Sequence, residues 1–153
     1  MVPTMCSGFP GPTDNLKGYI MAPELTGIDH LHVYVPDRKQ AAEWFKTVMG
    51  FHIVEAFKFW AENDQGPLTI EDPSGTVHLA LFQRQDFIPS TVIAFGASGA
   101  EFLNWIAHLE ALDLVDRLAD HTKAWSLYFR DPYGNSYEIT TLHYEHVADQ
   151  MKT

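Results

Sequence analysis

Apolar and polar positions alternate from Ile28 through Asp29, His30, Leu31, His32, Val33 and Tyr34 to Val35, and the run stops at Pro36. Alternation of that kind predicts a half-buried strand. The period then lengthens. Asp37 with Gln40 makes a capping-box pair, Ala41, Trp44, Phe45 and Val48 form one apolar stripe, and Gly50 closes a helix. Further strands are predicted over residues 51–60, 68–71 and 76–82, the last two joined by the turn Asp72-Pro73-Ser74-Gly75. The first half of the chain therefore reads β-α-β-β-β.

The second half repeats the order. A strand over residues 91–95 leads to a second capping-box pair, Ser98 with Glu101, and to a helix whose buried stripe is Phe102, Ile106 and Leu109. A strand near residues 114–118 precedes a hairpin. Its first arm is Trp125 to Phe129, its turn Asp131-Pro132-Tyr133-Gly134-Asn135, and its second arm Ser136 to Thr141. Period two puts Tyr137 and Ile139 on one face of that arm and Ser136, Glu138 and Thr140 on the other. The segments DPSGTVHLALF (72–82) and DPYGNSYEITT (131–141) superpose without a gap, which sets Leu79 opposite Glu138 and turns His78 away from any cleft.

A duplicated module that cannot bury its sheet alone pairs with its copy. The expectation is an α+β fold in which two β-α-β-β-β modules, residues 27–83 and 90–141, pair into a curved mixed sheet with a cleft inside and helices outside. They form one domain over residues 26–145. Residues 1–25, rich in Pro, Gly, Ser and Thr, read as a flexible N-terminal arm, and residues 146–153 as a C-terminal tail.

Composition narrows the partners. Twenty acidic against 10 basic residues leave a net charge of −10, which argues against nucleic acid and anionic membrane and for a small molecule. A single cysteine, Cys6, cannot form an internal disulfide, and the opening residues MVPTMCSGFPGP lack the pattern of a secretory signal, so the expected compartment is the cytoplasm.

The candidate chemistry lies on the predicted strands. His30 and His32 are two apart and project to one face, a spacing that suits one ion; His30 is expected to reach it, with His32 falling short as a polar residue of the cleft. With Glu138 the pair makes a two-histidine, one-carboxylate set of the kind non-haem Fe(II) oxygenases use. A carboxylate facing a sheet interior must be a ligand, a protonated acid or a hydrogen-bonded base. His121 beside Asp120 reads as a surface histidine paired with that aspartate, and Tyr128 as a core aromatic with a satisfied hydroxyl.

Paired β-α-β-β-β modules with a histidine on the opening strand and a DPxGxxxE hairpin at the end resemble the vicinal oxygen chelate superfamily, which includes glyoxalase I, type I extradiol dioxygenases and the fosfomycin- and bleomycin-resistance proteins. Within it, the run from His121 through Tyr128, Asp131-Pro132 and Gly134 to Glu138 is similar to the extradiol dioxygenase motif, from which Ala119 departs. The resemblance implies His30 and Glu138 as metal ligands, His121 as an acid–base catalytic residue and Tyr128 as a donor to a substrate oxygen. It implies a divalent metal, Fe(II) first, then Mn, Zn or Ni, a ring-opening oxidoreductase acting on a catechol-like substrate, and a homodimer. No histidine stands at residues 88–95 and Leu79 stands in place of a carboxylate, so two usual ligand positions lack donors. That favours a rival reading, a metal-free small-molecule binding protein of the bleomycin-resistance type; a glyoxalase-like lyase or isomerase is a third.

Overall fold

The structure, a computed structural model, describes Pro23 and residues 25–152. Most of the expected N-terminal arm, with Cys6, lies outside the described residues. Alternation in β1 (Leu31–Val35) sends Val33 and Val35 into the core and leaves His32 and Tyr34 on the opposite face. Helix α1 (Arg38–Met49) starts where Asp37 accepts hydrogen bonds from the N–H groups of Lys39 and Gln40, at 2.8 and 3.0 Å, and it ends at Gly50, whose φ of 71° suits glycine. Strands β2 (His52–Ile53), β3 (Leu68–Glu71) and β4 (His78–Gln83) complete a four-stranded sheet in the order β1-β4-β3-β2.

The strand expected over residues 51–60 is only two residues long; the chain then turns into a 3-10 helix, Glu55–Glu62. The reason is visible in the aromatics. Phe57 and Trp60 are three apart, which would put them on opposite faces of a strand but stacks them on a 3-10 turn, with ring centroids 4.7 Å apart. Arg38, buried at the start of α1, fastens the end of this segment by donating to the carbonyls of Ala61, Asn63 and Gly66.

The second module repeats the plan with β5 (Ile93–Gly96), α2 (Gly99–Ala111), β6 (Val115–Asp120), β7 (Trp125–Arg130) and β8 (Ser136–Thr141), in a sheet ordered β5-β8-β7-β6. Ser98 caps α2 by accepting from the Glu101 N–H at 3.2 Å. In each sheet the first and last strands are parallel and the other pairs antiparallel. The expected α+β duplication is therefore present, each copy forming its own mixed sheet. A third helix, α3 (Tyr144–Met151), starts at the end of the expected domain and takes in most of the expected tail, packing on α2 through the fully buried Val147.

One core serves both modules. Phe45 of α1 meets Tyr137 edge-on at 5.6 Å, and Trp44 stacks on Phe129 at 6.5 Å, so the first helix reaches across to the second sheet. Asn135 ties the same join. Its side-chain amide donates to the Tyr34 carbonyl, 101 residues away in the chain, and its side-chain oxygen accepts from the Ser90 N–H.

The ungapped superposition of the two hairpins is not what folds. The first closes by Asp72 N–H to Val77 O, over five positions, and the second by Asp131 N–H to Asn135 O, over four. The extra residue shifts the match. Leu79, paired with Leu31, corresponds to Tyr137, paired with Ile93; both are fully buried on the helix side. Ala80, not Leu79, is the counterpart of Glu138, and His78 faces the side the superposition denied it.

Candidate functional site

The face of the first sheet turned away from α1 carries its chemistry. In-register partners share a face, so His32 stands beside Ala80, Ala80 beside Thr69, and His78 beside Glu71, while His30, one residue before β1, comes level with His78. His30 Nδ1 lies 2.6 Å from the Asp29 carboxylate. A carboxylate can only accept, so Nδ1 carries the proton and Nε2 is left as a bare lone pair. That hydrogen bond also holds the Asp29 carboxyl below its usual range.

His32 Nε2 lies 3.2 Å from His30 Nε2 and donates to it when the His30 proton is on Nδ1. Two imidazole nitrogens each ~2.0–2.1 Å from one ion would, at this separation, subtend an angle of about 100° at it, between the octahedral and tetrahedral values. By separation the pair would suit two adjacent positions on one divalent ion, and Asp29 stands where a carboxylate would fix the tautomer of a histidine that held one. Phe82, 4.5 Å from the His32 ring, walls the pair on its other side.

The second sheet presents the other candidates. Tyr137 and Ile139 point into the core, so Glu138 faces away from the helices, as period two required. Its Oε1 accepts from the buried Ser126 hydroxyl at 2.6 Å, and Tyr128 is its register partner on β7. The Tyr128 hydroxyl lies 3.3 Å from His121 Nε2, and the Arg117 guanidinium sits 4.4 Å over the Tyr128 ring. Asp120 is engaged elsewhere, accepting from the Thr122 N–H and the Tyr144 hydroxyl. His121 and Tyr128 are therefore brought together, and Glu138 is next to Tyr128.

The two sets stand on different sheets. Glu138 makes no hydrogen bond or ion pair with His30 or His32, and among the described residues no group of three or more His, Cys, Asp or Glu side chains is placed to hold one ion. Between the sheets lies a cavity of about 250 Å³ lined by His30 and His78 on one side and by Ala94 on the other. Ala94 is the register partner of Glu138, one strand spacing of ~4.8 Å further on.

Sequence reasoning missed a row that crosses three strands. Glu71 of β3 accepts from His78 of β4 at 3.0 Å with one oxygen, and its other oxygen lies 3.1 Å from His52 Nε2 of β2. Only the strand register brings these residues together. Two further histidines are structural: His108 Nε2 donates to the Val48 carbonyl, linking α2 to α1, and His143 Nδ1 accepts from the Gly99 N–H at the start of α2.

The sequence profile of the Glyoxalase/Bleomycin resistance protein/Dioxygenase superfamily matches residues 27–139, and the chain belongs to that superfamily. No curated protein matches it. Solved structures share the fold at low identity. Lactoylglutathione lyase from Agrobacterium tumefaciens is 23% identical, with a TM-score of 0.62 over 78% of this chain and 96% of its own. The fosfomycin resistance protein FosX from Listeria monocytogenes, complexed with Mn(II) and sulfate, is 12% identical, with a TM-score of 0.60 over 84% of this chain and 99% of its own. The oxidase ChaP-H2 is 21% identical, with a TM-score of 0.58 over 78% of this chain and 97% of its own. No helix among the described residues is long and apolar enough to cross a membrane.

Proposed function

We propose that the protein is a metal-dependent enzyme that opens a hydroxylated aromatic ring next to two adjacent hydroxyls, in the manner of an extradiol dioxygenase. The observation that carries this reading is the convergence of His30 Nε2 and His32 Nε2 at 3.2 Å with Asp29 fixing His30 from behind. Glu138 is the third donor in this proposal, reached across the cavity that His30 shares with Ala94. Fe(II) suits two imidazoles and a carboxylate, with Mn, Zn or Ni as alternatives; His30, His32 and Glu138 would hold it, and it would supply Lewis-acid chemistry for the substrate hydroxyls and, as Fe(II), for dioxygen. The chain's own residues then position and protonate. His121 moves protons, and Tyr128, steadied by Arg117 over its ring, donates to a substrate oxygen. A cytoplasmic homodimer is part of the same proposal.

The second reading has its own observation. In the strand register Val92 corresponds to His30 and Ala80 to Glu138, so two positions where a donor would complete the duplicated set are apolar. That suits a metal-free protein that sequesters a small aromatic molecule. Nothing favours a lyase or isomerase over either.

The test is anaerobic reconstitution with Fe(II) followed by catechol, with oxygen uptake and the absorbance of the ring-opened product recorded together. One O₂ consumed per catechol supports the dioxygenase. Tight binding of catechol by the metal-free chain, with no uptake after loading, supports the sequestering protein.

A further inference from the structure

A second cavity, of about 330 Å³, opens on the same face of the first sheet and is lined by His30, Phe57, Trp60, Thr69, His78 and Ala80, among others. Its walls differ in kind. Phe57 and Trp60 stack at an interplanar angle of 24°, giving one flat apolar side, and Ala80 leaves open the space its counterpart Glu138 fills on the second sheet. The opposite side is imidazole. The volume is at the lower end for a small-molecule site, which suits a single ring.

His78 is the reactive group of this wall. Its Nε2 donates to Glu71 Oε2 at 3.0 Å, so Nδ1 is the ring's only basic nitrogen, and no side chain or backbone group among the described residues hydrogen-bonds to it. Glu71 is itself held. Its other oxygen lies 3.1 Å from His52 Nε2, and its side chain is only 21% exposed. A partly buried carboxylate on Nε2–H orients an imidazole and stabilises the imidazolium that forms when Nδ1 takes a proton. Asp29 and His30 border the same space, and Asp29 lies within electrostatic reach of His78.

We propose that this cavity binds the hydroxylated aromatic ring, stacked on Phe57 and Trp60, and that His78, oriented by Glu71, is an acid–base residue that ionises its hydroxyl. The inference rests on the reading of the site as one for a ring hydroxyl, and it adds a second acid–base histidine, on the sheet opposite His121. In the step the hydroxyl O–H bond breaks, its proton passes to His78 Nδ1, and the oxygen keeps the electron pair as phenolate. Glu71 neutralises the imidazolium without itself taking the proton. The proton returns when product leaves.

The probe is 4-nitrocatechol, whose visible band reports its ionisation, titrated into the full chain before and after chelation of metal at a pH where the free probe is neutral. The expected result is a bound probe with the anion's band in both preparations. His78→Gln should bind the probe but leave it in the neutral form. Glu71→Gln, which keeps the imidazole, should cut the ionised fraction about tenfold, the weight of one charge-assisted hydrogen bond. An anion band that survives His78→Gln in a folded variant, that vanishes on chelation, or that never forms in the wild-type chain would overturn the assignment. If it vanishes on chelation the metal reading stands without His78; if it persists in a chain that never binds metal, His78 stands without the metal reading.

Discussion

The two hairpins offer a controlled comparison, because Asp72 and Asp131 occupy the same turn position in different surroundings. Asp131 is 5% exposed and accepts four hydrogen bonds: from the N–H groups of Tyr133 and Asn135, from the Asn135 amide and from the Tyr137 hydroxyl. Asp72 also accepts four, from Ser74 N–H, Ser74 hydroxyl, Thr76 N–H and Val77 N–H, but Ser74 and Thr76 are exposed. In Asp131→Ala the Tyr137 hydroxyl and the Asn135 N–H are stranded in residues with no exposed surface, and a buried orphan costs roughly 1–3 kcal/mol. Two such groups put the loss at about 2–6 kcal/mol, a large share of the ~5–15 kcal/mol of a typical domain. In Asp72→Ala water replaces most of the lost partners, and the cost should be near 1 kcal/mol, about that of one lost cap. Urea denaturation of both variants, compared at unchanged slope, measures the difference directly. Equal costs for the two, or a larger one for Asp72→Ala, would refute the claim that burial of the stranded donors decides the outcome.

The same turn sets an acid limit. Burial alone would raise Asp72, but the hydrogen bonds from Ser74, Val77 and Thr76 outweigh it and hold the carboxyl at about 2. Its folded value is depressed, so its contribution is full above the unfolded value of ~4 and is lost as pH falls towards 2; stability measured across that window should drop less steeply in Asp72→Asn. Arg38→Ala removes the donor that fastens the end of the 3-10 segment to α1, so it should lower stability by about 1.5–3 kcal/mol and weaken 4-nitrocatechol binding as Phe57 and Trp60 lose their anchor; unchanged probe affinity would detach that wall from the binding site. His32→Ala should abolish metal binding as fully as His30→Ala, and metal retained with weaker ligand affinity would show that His32 only lines the cleft.

Much of the fold could be read from local pattern. The caps at Asp37 and Ser98, the stripe Ala41-Trp44-Phe45-Val48 and the inward turn of Tyr137 and Ile139 follow from spacings of two to four residues, and each is found where the spacing puts it. What failed depended on a count or a register. Similar letters in the two hairpins hid a one-residue difference in the turns, which moved Ala80 rather than Leu79 into the place of Glu138 and brought His78 to the open face. The His52–Glu71–His78 row joins residues that meet only after β2, β3 and β4 have paired, so no motif spells it. Arg117 over Tyr128 is likewise a cross-strand neighbour on β6 and β7. The aromatic run 57–60 misled because period two and period three differ by one position over so short a stretch.

The central claim is that His30 and Glu138, on different sheets, hold one divalent ion together with His32. The direct measurement is elemental analysis of protein purified without chelators and then reconstituted, for the wild type, His30→Ala and Glu138→Gln, each checked for folding. The account expects about one equivalent in the wild type and loss in both variants, because removing either donor leaves an incomplete set. Metal below about a tenth of an equivalent in the reconstituted wild type, or full occupancy in Glu138→Gln, would contradict it.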